Sequence, residues 1–483
     1  MDSSLDRASS YYNILEVNPN FPTGNVDSDT RDLLTGIKEA SERGTALKLP
    51  TNGLIGRIGN PIKFNKPLFL NGCGLVGLDS VATNGDNSKA PTLQYVGHTQ
   101  NLPENAWISM TNGSWISGIT LLGKKREVAN NIKHKGIALT REISISEDMK
   151  KNIPGIEETV KSFMKDKSDS GIHISNVSIR DIHEGIVSYG STTEPGRITI
   201  ENCYIFCFGS GRGITLGTNK SSSKDYCIIS NTHCRNDNIE GVGFTFGHID
   251  GLMVSNSTAF NCHIGIECLE SPGGANRDIN GPSPSFSNVK LDRCDFGFLI
   301  SGRTNAKISS CEVQALHHGI IVGLFKGQSS FNLLDKNLAS PAEVGPETPS
   351  NVLITSSKIQ GNGQALRIVK AGSISVTGCH LITNLPRENK PVAELYHFNS
   401  MAMTGNNIEA NNSANNVLVI HKQSGETTHP WKLSSFEVKR YDPGDYEDRR
   451  HFNPAYRVQE RDRNLFSMLN PVYRPPEEKL KQD

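Results

Sequence analysis

Four acidic residues lie near one another in the chain and could act as carboxylate catalysts. They are Asp237, Glu240, Glu267 and Glu270. Hydrolysis of a glycosidic bond needs two carboxyl groups flanking the scissile bond, one of them held protonated. A carboxyl separation of about 5 Å favours retention of configuration, and roughly 6.5–9.5 Å favours inversion. We predict these four acids as catalytic if the fold brings Glu240 and Glu267 onto adjacent rungs.

Five further side chains recur at one position of a sequence repeat and are predicted to bind substrate. They are Arg180, Phe206, Arg235, Phe260 and Asp292. Aromatic rings can stack on sugar rings, and charged groups can hydrogen-bond to hydroxyls. Phe206 and Phe260 would equally suit a subunit interface, because such faces also bury aromatic side chains.

The repeat itself is marked by one apolar residue that returns every 22 to 32 residues, with a single interval of 46. Its members are Ile179, Ile205, Cys234, Ala259, Leu291, Val313, Ile359, Leu381 and Ile408. Three residues earlier stands a polar or small residue: Asn176, Asn202, Asn231, Asn256, Asn288, Ser310, Ser356, Gly378 and Gly405. A period of this size indicates stacked units that bury a core only by stacking.

Within each repeat, apolar and polar residues alternate with a period of two, which is typical of short strands with one buried face. A glycine opens the last strand, as at Gly185 and Gly213, where a bend excludes a Cβ atom. Two or three such strands per repeat predict an all-β parallel β-helix. The polar column is expected to stack in a bend, where asparagine side chains hydrogen-bond one another and the backbone.

Alternation also assigns each side chain a direction. The last strand is predicted to point Ile186, Ile214, Val242, Ile266, Phe298 and Ile320 inward. Their followers Val187, Thr215, Gly243, Glu267, Leu299 and Ile321 are then predicted to point to solvent. Glu184, Arg212 and Glu240 form a column that could equally be an ordinary charge-compensated ladder. His183, His263, His317 and His318 are interpreted as bend residues in preference to acid–base groups.

The domain boundaries follow from where the repeat begins and stops. We predict an N-terminal arm over residues 1–27, a β-helix over 28–425 that opens with a capping helix, and an extended C-terminal arm over 426–483. Insertions are expected at 143–168, which reads as a charged helix, and as loops at 271–284 and 326–350. The C-terminal arm is interpreted as ordering against a neighbouring subunit or another protein, with plain disorder as the alternative.

Composition excludes several classes of partner. Fifty basic and fifty acidic residues give no charge excess for a nucleic acid. No apolar run is long enough for a membrane span, and the first residues lack the apolar stretch of a signal peptide. The ten cysteines follow inward positions of the repeat and lack metal-ligand spacing, so we expect reduced, buried thiols, no metal and no cofactor.

Residues 28–82 carry a resemblance to a known family. The segment joins an Asp-Thr pair, an amphipathic helix containing Leu33 and Ile37, and the glycine-rich "LNGCGLVGLD". In this it resembles the pectate-lyase-like right-handed β-helix superfamily, above all bacteriophage tailspikes, over about residues 28–425. The resemblance implies a right-handed single-stranded solenoid in a homotrimeric virion protein. Such a protein binds a host-surface polysaccharide, can cleave it as an endo-acting glycoside hydrolase, and would meet other virion proteins through its arms.

Two alternatives remain open on the sequence. One is a structural virion protein, such as a cap, cement or fibre-anchoring component, that uses the solenoid as a spacer. The other is a free carbohydrate-active lyase or epimerase. A calcium-dependent lyase would need several aspartates around the ion and a basic residue facing the groove. Arg180 and Arg235 fit the base, but no aspartate trio stacks beside them.

Overall fold

A computed structural model describes most of the repeat region. The described residues are 11–51, 54–64, 68–72, 90–97, 106–123, 134–139, 171–188, 197–217, 226–247, 249, 251–269, 283–302, 304–325, 328–330, 332–333, 350–383, 391–410, 418–420, 431–434 and 437–440. The chain divides into two compact units, Met1–Leu252 and Met253–Asp483. The predicted helical insertion at 143–168 lies outside the described residues, as does most of the loop at 271–284.

The described residues of the first unit form one α-helix, α1 (Val26–Arg43), a short 3-10 helix (Ile14–Glu16) and a series of short strands. The strands are β1 (Tyr11–Asn13), β2 (Ala46–Lys48), β3 (Ile55–Ile58), β4 (Ile62–Lys63), β5 (Phe69–Asn71), β6 (Thr92–Tyr95), β7 (Ala106–Met110), β8 (Trp115–Leu122), β9 (Lys135–Leu139), β10 (Ile172–Ser188), β11 (Arg197–Glu201), β12 (Tyr204–Leu216), β13 (Tyr226–Ser230), β14 (His233–Asn236) and β15 (Val242–Phe246).

The second unit begins inside the next strand. Its strands are β16 (Leu252–Ser255), β17 (Thr258–Phe260), β18 (Ile264–Cys268), β19 (Ser285–Ser287), β20 (Lys290–Ile300), β21 (Asn305–Ser309), β22 (Glu312–Val322), β23 (Ser350–Thr355), β24 (Lys358–Gly361), β25 (Gln364–Thr377), β26 (His380–Thr383), β27 (Ala393–Thr404), β28 (Asn407–Ala410), β29 (Leu418–Ile420), β30 (Trp431–Ser434) and β31 (Glu437–Arg440).

All strand pairing within the first unit is parallel and builds three sheets. Sheet A consists of β1, β2, β5, the first residues of β8 and β10, β11 and β13. Sheet B consists of β3, β6, the middle of β8 and β10, the start of β12, and β14. Sheet C consists of β4, β7, β9, the ends of β10 and β12, and β15. The chain visits A, B and C in turn, as in a parallel β-helix.

The second unit repeats this order. Sheet A consists of β16, β19, β21, β23 and β30 with the ends of β25 and β27. Sheet B consists of β17, β24, β26, β28 and β31 with the starts of β20 and β22. Sheet C consists of β18 and β29 with the ends of β20 and β22 and the starts of β25 and β27. The parallel β-helix predicted from the repeat is confirmed.

Parallel pairing reaches further than the repeat alone indicates. β1 pairs with β2 through Tyr11 and Ala46, ahead of residue 28. At the other end β31 pairs with β28 through Glu437 and Asn407, beyond residue 425. The proposed C-terminal arm from residue 441 onward lies outside the described residues.

Helix α1 is fastened to the first coil by the aspartate of the Asp-Thr pair. Asp29 is fully buried, and its carboxylate accepts from the backbone amides of Thr23 (2.7 Å), Gly24 (3.0 Å) and Arg57 (3.0 Å). Thr30 adds a bond from the Gly59 amide at 2.8 Å. A buried carboxylate is tolerated here because several donors satisfy it. The helix therefore closes the end of the stack, as the sequence predicts.

The bend between sheets A and B forces one residue per coil into the left-handed region. The column of polar and small residues that marks the repeat has φ between 47° and 63° from Asn176 to Gly405. Asparagine and glycine enter this region at the least cost, whereas other L-residues lose about 1–2 kcal/mol there. Gly118 (φ 67°) extends the column one coil earlier. The repeat signal is thus a backbone requirement.

The bend also passes hydrogen bonds from coil to coil. The Asn202 amide donates to Ser230 O at 3.1 Å, and the Asn288 amide donates to Ser309 O at 3.1 Å. The predicted contact between stacked side chains occurs where Asn288 Nδ2 donates to Asn256 Oδ1 at 2.7 Å. The ladder of sheet hydrogen bonds therefore continues through the corner.

The interior is filled by the inward members of each strand. Ile200, Ile229 and Phe286 are fully buried, as are nine cysteines of the described chain, none of which is in a disulfide. Burial raises the pKa of the Cys311 thiol to about 11, so this side chain stays a neutral hydrophobic group. The glycine that opens sheet C is required because a Cβ on Gly213 would lie 2.5 Å from Gly243 O.

Two predictions about sheet C are wrong. Strand β15, which pairs with β12 in the next coil, is shifted by two residues from the predicted register. Ile214 pairs with Phe244, and Arg212 pairs with Val242. The cause is the turn before it, closed by the bond from Glu240 N to Asn238 O at 2.9 Å, which lengthens the connection. Glu240 therefore does not continue the Glu184–Arg212 ladder, and Thr245 takes the place predicted for Gly243.

The second error concerns the solvent exposure predicted for the outward side chains of sheet C. Alternation does turn Val187, Thr215, Glu267, Leu299 and Ile321 away from the interior, yet each is at most 1% exposed. Val187 belongs to an outer apolar cluster with Ala106 and Ala138. In the second unit Phe325, Val369 and Tyr396 form another. The outer face of sheet C is thus covered at these five positions, so these side chains do not meet water.

We expect the left-handed bend to be measurable as a stability effect. Asn231 has φ 47° and an exposed side chain. Replacing it with valine should lower the free energy of unfolding by about 1–2 kcal/mol, because a β-branched residue is strained there. Asn231→Gly should change the free energy of unfolding by only a few tenths of that amount.

Urea unfolding followed by circular dichroism measures both variants. Lys358→Val, at an exposed strand position of β24, is the matched control and should be near neutral. Equal losses for Asn231→Val and Asn231→Gly would show that the bend does not depend on backbone strain.

Candidate functional site

The outer face of sheet B carries the residues predicted to bind substrate. In the first unit Arg180 pairs with Phe206, and Phe206 pairs with Arg235, so the three side chains form one column with a spacing of about 4.8 Å between rungs. Arg235 is exposed, and its guanidinium lies 5.6 Å from the centre of the half-buried Phe206 ring. The structure therefore brings these three residues together as the sequence predicts.

A second column runs two residues earlier along the same strands. Tyr204 pairs with His233, and their rings stack with centroids 5.0 Å apart and planes 15° apart. Burial lowers the pKa of His233 below its ordinary value of 6.5. The ring is therefore neutral at pH 7 and can accept or donate one hydrogen bond. The two columns together form an aromatic and basic surface.

Long connections between sheets B and C border this surface on one side. The chain takes nine residues from Ile205 to Ile214 and ten from Cys234 to Phe244, but only seven from Ile179 to Ile186. The extra residues protrude as a lip formed by residues 208–211 and 237–241. Asp237 Oδ1 joins the two connections by accepting from Gly209 N at 2.9 Å.

Several polar side chains belong to the lip or contact it. Glu240 is exposed, and Asp237 is half-buried. His183 packs its ring against the edge of Phe208 at 6.1 Å and lies 3.5 Å from Ser210 Oγ. The lip thus carries two carboxylates in the connection that follows Arg235 in the chain.

In the second unit sheet B presents a more polar face. Phe260 pairs with Asp292, and Asp292 pairs with Gln314. The Arg293 guanidinium lies 5.5 Å from the centre of the Phe260 ring. Arg293 occupies the left-handed region (φ 53°), which turns the chain out of sheet B at this corner. The predicted residues Phe260 and Asp292 are therefore neighbours in one column.

The four acids predicted as catalytic do not form one accessible group. Asp237 and Glu240 lie on the lip in the first unit, whereas Glu267 is a fully buried residue of the second unit. Glu270 lies outside the described residues. Because Glu267 has no exposed surface, it cannot contact a polymer in this conformation. The prediction that Glu267 faces solvent as a catalytic carboxylate is therefore wrong.

The structure gathers around Asp295 histidines that the sequence predicts only as separate bend residues. Asp295 Oδ2 lies 2.8 Å from His263 Nδ1, and Asp295 Oδ1 lies 3.9 Å from His317 Nε2. His263 Nε2 lies 3.0 Å from the carbonyl oxygen of Ser330. His318 is buried against the ring of Phe296 at 5.7 Å. The aligned columns named these histidines, but only the fold shows that His263 and His317 share one aspartate.

The described residues give no sign of a metal centre. No three His, Cys, Asp or Glu side chains in this part of the chain are placed to hold one ion. The helices found among the described residues are also too short or too polar to cross a bilayer.

Tyr204 and His233 are the main site residues that the sequence analysis missed. Both could have been predicted from the alternation of the strands. Each stands two residues before a member of the predicted column, and residues two apart on a strand point to the same face. Arg293 carried no such signal, because it follows Asp292 directly and faces outward only through its positive φ.

Comparison with known proteins finds similar solved structures but no family. No protein-family model matches the chain, and no curated protein matches it. A tailspike protein mutant of the E. coli bacteriophage HK620, in complex with a pentasaccharide, is 12% identical, with 91% of this chain and 79% of that chain covered and a TM-score of 0.49. The A-module of Azotobacter vinelandii mannuronan C-5 epimerase AlgE4 is 13% identical, with 93% and 100% covered and a TM-score of 0.48.

A third similar structure is the Streptococcus pneumoniae surface protein and adhesin PfbA. It is 12% identical, with 90% of this chain and 100% of that chain covered and a TM-score of 0.38. At such identities and TM-scores, the likenesses say nothing about what this chain binds. Its function has to be argued from its own side chains.

The stacking of Tyr204 on His233 leads to a pH prediction. Since folding lowers the pKa of His233, the unfolded chain binds its proton more readily, and this residue opposes folding as the pH falls through 6.5. A histidine titration followed by NMR should give a midpoint below 6.5 for His233. Tyr204→Ala should raise that midpoint by uncovering the ring.

Tyr226→Ala is the control, because Tyr226 is a 42% exposed tyrosine on sheet A. It should leave the His233 midpoint unchanged. A midpoint at or above 6.5 in the wild type would contradict the burial of this ring.

Proposed function

We propose that this β-helix binds a polysaccharide along the outer face of sheet B in its first unit. The observation that carries the proposal is the column Arg180–Phe206–Arg235, flanked by the stacked pair Tyr204 and His233. A rigid solenoid repeats its side chains at a constant spacing, which suits a ligand that is itself a chain of repeating units.

The chemistry of the column supports a sugar ligand. Arginine offers several donors in a fixed plane to hydroxyl or carboxylate oxygens. Phe206 and Tyr204 supply apolar ring surface for the C–H faces of a sugar. The lip on one side gives the surface an edge that would orient the polymer along the strands' stacking direction.

Hydrolysis is a second candidate function, and it now depends on the lip. Asp237 and Glu240 belong to the connection that follows Arg235, and a glycosidase needs two carboxyl groups at its scissile bond. Asp237 is already occupied by a backbone hydrogen bond from Gly209 N, whereas the Glu240 side chain is exposed. Glu240 would then be the proton donor.

Binding can be tested with purified bacterial capsules and lipopolysaccharide O-chains, neutral and acidic. We expect Arg235→Ala to weaken binding of a recognised glycan by about tenfold or more, the effect of losing a charge-assisted hydrogen bond of about 1.5–3 kcal/mol. Isothermal titration calorimetry measures the affinity. Arg197→Ala, an exposed arginine on sheet A of the same unit, should bind like the wild type.

Two results would contradict the proposal: no glycan in the panel binds, or Arg197→Ala and Arg235→Ala weaken binding equally. Glycan length in the same samples tests hydrolysis. Shortened chains that persist in the Asp237→Asn and Glu240→Gln variants would remove these acids from the reaction.

The finer part of the proposal concerns assembly. We infer a homotrimeric, tailspike-like virion protein whose terminal arms meet other virion proteins, supported by the sequence resemblance. A structural cap or fibre-anchoring component would share the fold and lack glycan binding. Light scattering on the purified chain should give about three times the monomer mass of 52.7 kDa. A monomer at all concentrations would contradict this inference.

A further inference from the structure

The outer face of sheet C in the second unit is buried, and a short segment of the chain is attached to the same sheet at two points. Glu267 pairs with Leu299, and Leu299 pairs with Ile321, so the three side chains form a column that points away from the interior. All three are at most 1% exposed. We call the described residues 324–325, 328–330 and 332–333 the strap. Leu324 and Leu333 within it are themselves buried.

One end of the strap is anchored by an aromatic ring. Phe325 packs edge-on against Tyr396, with ring centroids 4.9 Å apart, and joins the outer apolar cluster with Val369. The Arg367 guanidinium lies 5.0 Å from the centre of the Phe325 ring. These contacts combine apolar burial with a cation–π interaction. This anchor does not depend on pH in the neutral range.

The other end is anchored by His263, whose Nε2 lies 3.0 Å from Ser330 O. Ile264, Phe296, His318 and Gln364 pair in succession along sheet C. The His263 end is therefore three rungs from the coil that holds Arg367. Leu299 and Ile321 lie on the two rungs between. The strap is thus attached to sheet C at two points three rungs apart.

The partners of His263 determine its protonation state. Nδ1 faces the Asp295 carboxylate at 2.8 Å, and Nε2 faces the Ser330 carbonyl at 3.0 Å. An ionised carboxylate and a carbonyl can only accept hydrogen bonds, so both ring nitrogens must donate. A neutral imidazole has one N–H group and cannot make both bonds. The two contacts exist together only when His263 is an imidazolium.

Charged groups around the ring agree with this assignment. Asp295 and Glu267 face it with negative charge, while His317 approaches Asp295 from the next strand and His318 stacks on Phe296. Burial opposes a charge on His263, but Asp295, the Ser330 carbonyl and Glu267 outweigh it and raise the pKa of His263 above 6.5. The side chain is only 17% exposed, so solvent screens these interactions weakly.

We propose that the Ser330 end of the strap is a pH-sensitive attachment, held to sheet C by the His263 imidazolium and released when His263 loses its proton. The attachment is fully present below the unfolded-state pKa and is lost as the pH rises through the raised pKa of the attached state. Release at Ser330 would leave the strap held by Phe325.

Hydrogen–deuterium exchange of the full chain, read by mass spectrometry on peptides covering 324–333, tests the proposal between about pH 5 and pH 9. Rates are corrected for intrinsic exchange. Strap protection should fall by up to about tenfold per pH unit between the unfolded-state pKa and the raised pKa of His263, the slope for release of one proton, and should level off above that window. In His263→Gln, protection should be low and independent of pH.

Three variants identify the titrating group. His317→Gln should keep the transition, because His317 is a 42% exposed neighbour that makes no bond to the strap in the described contacts. His380→Gln removes a histidine–glutamate pair elsewhere in the unit and should also keep it. Asp295→Asn should lower the midpoint, and this variant serves if His263→Gln fails to fold.

Two outcomes would overturn the proposal. One is strap protection in the wild type that does not change with pH over this range. The other is a transition that persists in His263→Gln and vanishes in His317→Gln, which would make the exposed histidine the titrating group.

Discussion

The left-handed bend between sheets A and B is the constraint on which the rest of this protein depends. One residue in each coil must adopt a positive φ, and the chain meets this with asparagine, serine or glycine from Asn176 to Gly405. The bend amide then donates to the coil that follows, as Asn202 does to Ser230. Because the corner recurs at the same place, the strands on either side stay in register, and each side chain keeps its direction from coil to coil.

A fixed register at one corner leaves another corner free to vary. The connection from sheet B to sheet C lengthens at two successive coils of the first unit, and there it forms the lip beside Arg180, Phe206 and Arg235. The stack tolerates this, because the next strand re-enters at Gly213 and Gly243 in the same column. The candidate site therefore combines a regular column, supplied by the repeat, with an irregular edge, supplied by the loops.

Sequence reasoning could predict everything that follows from periodicity. The parallel strands, the inward cysteines and the sheet B column all derive from the period of two and the recurring bend. It could not predict the shift by two residues at Val242, since the extra turn before it leaves the alternation intact. Nor could it predict that Glu267 is buried, because alternation separates the inside of the coil from its outside but cannot tell solvent from a covering segment.

The most direct test of this account is a crystal structure of the protein with an oligosaccharide from a polysaccharide that it binds. The account predicts sugar rings on sheet B of the first unit, in contact with Arg180, Phe206 and Arg235 and bounded by the lip at Asp237. Sugar density confined to sheet A, or to the covered face of sheet C, would contradict it.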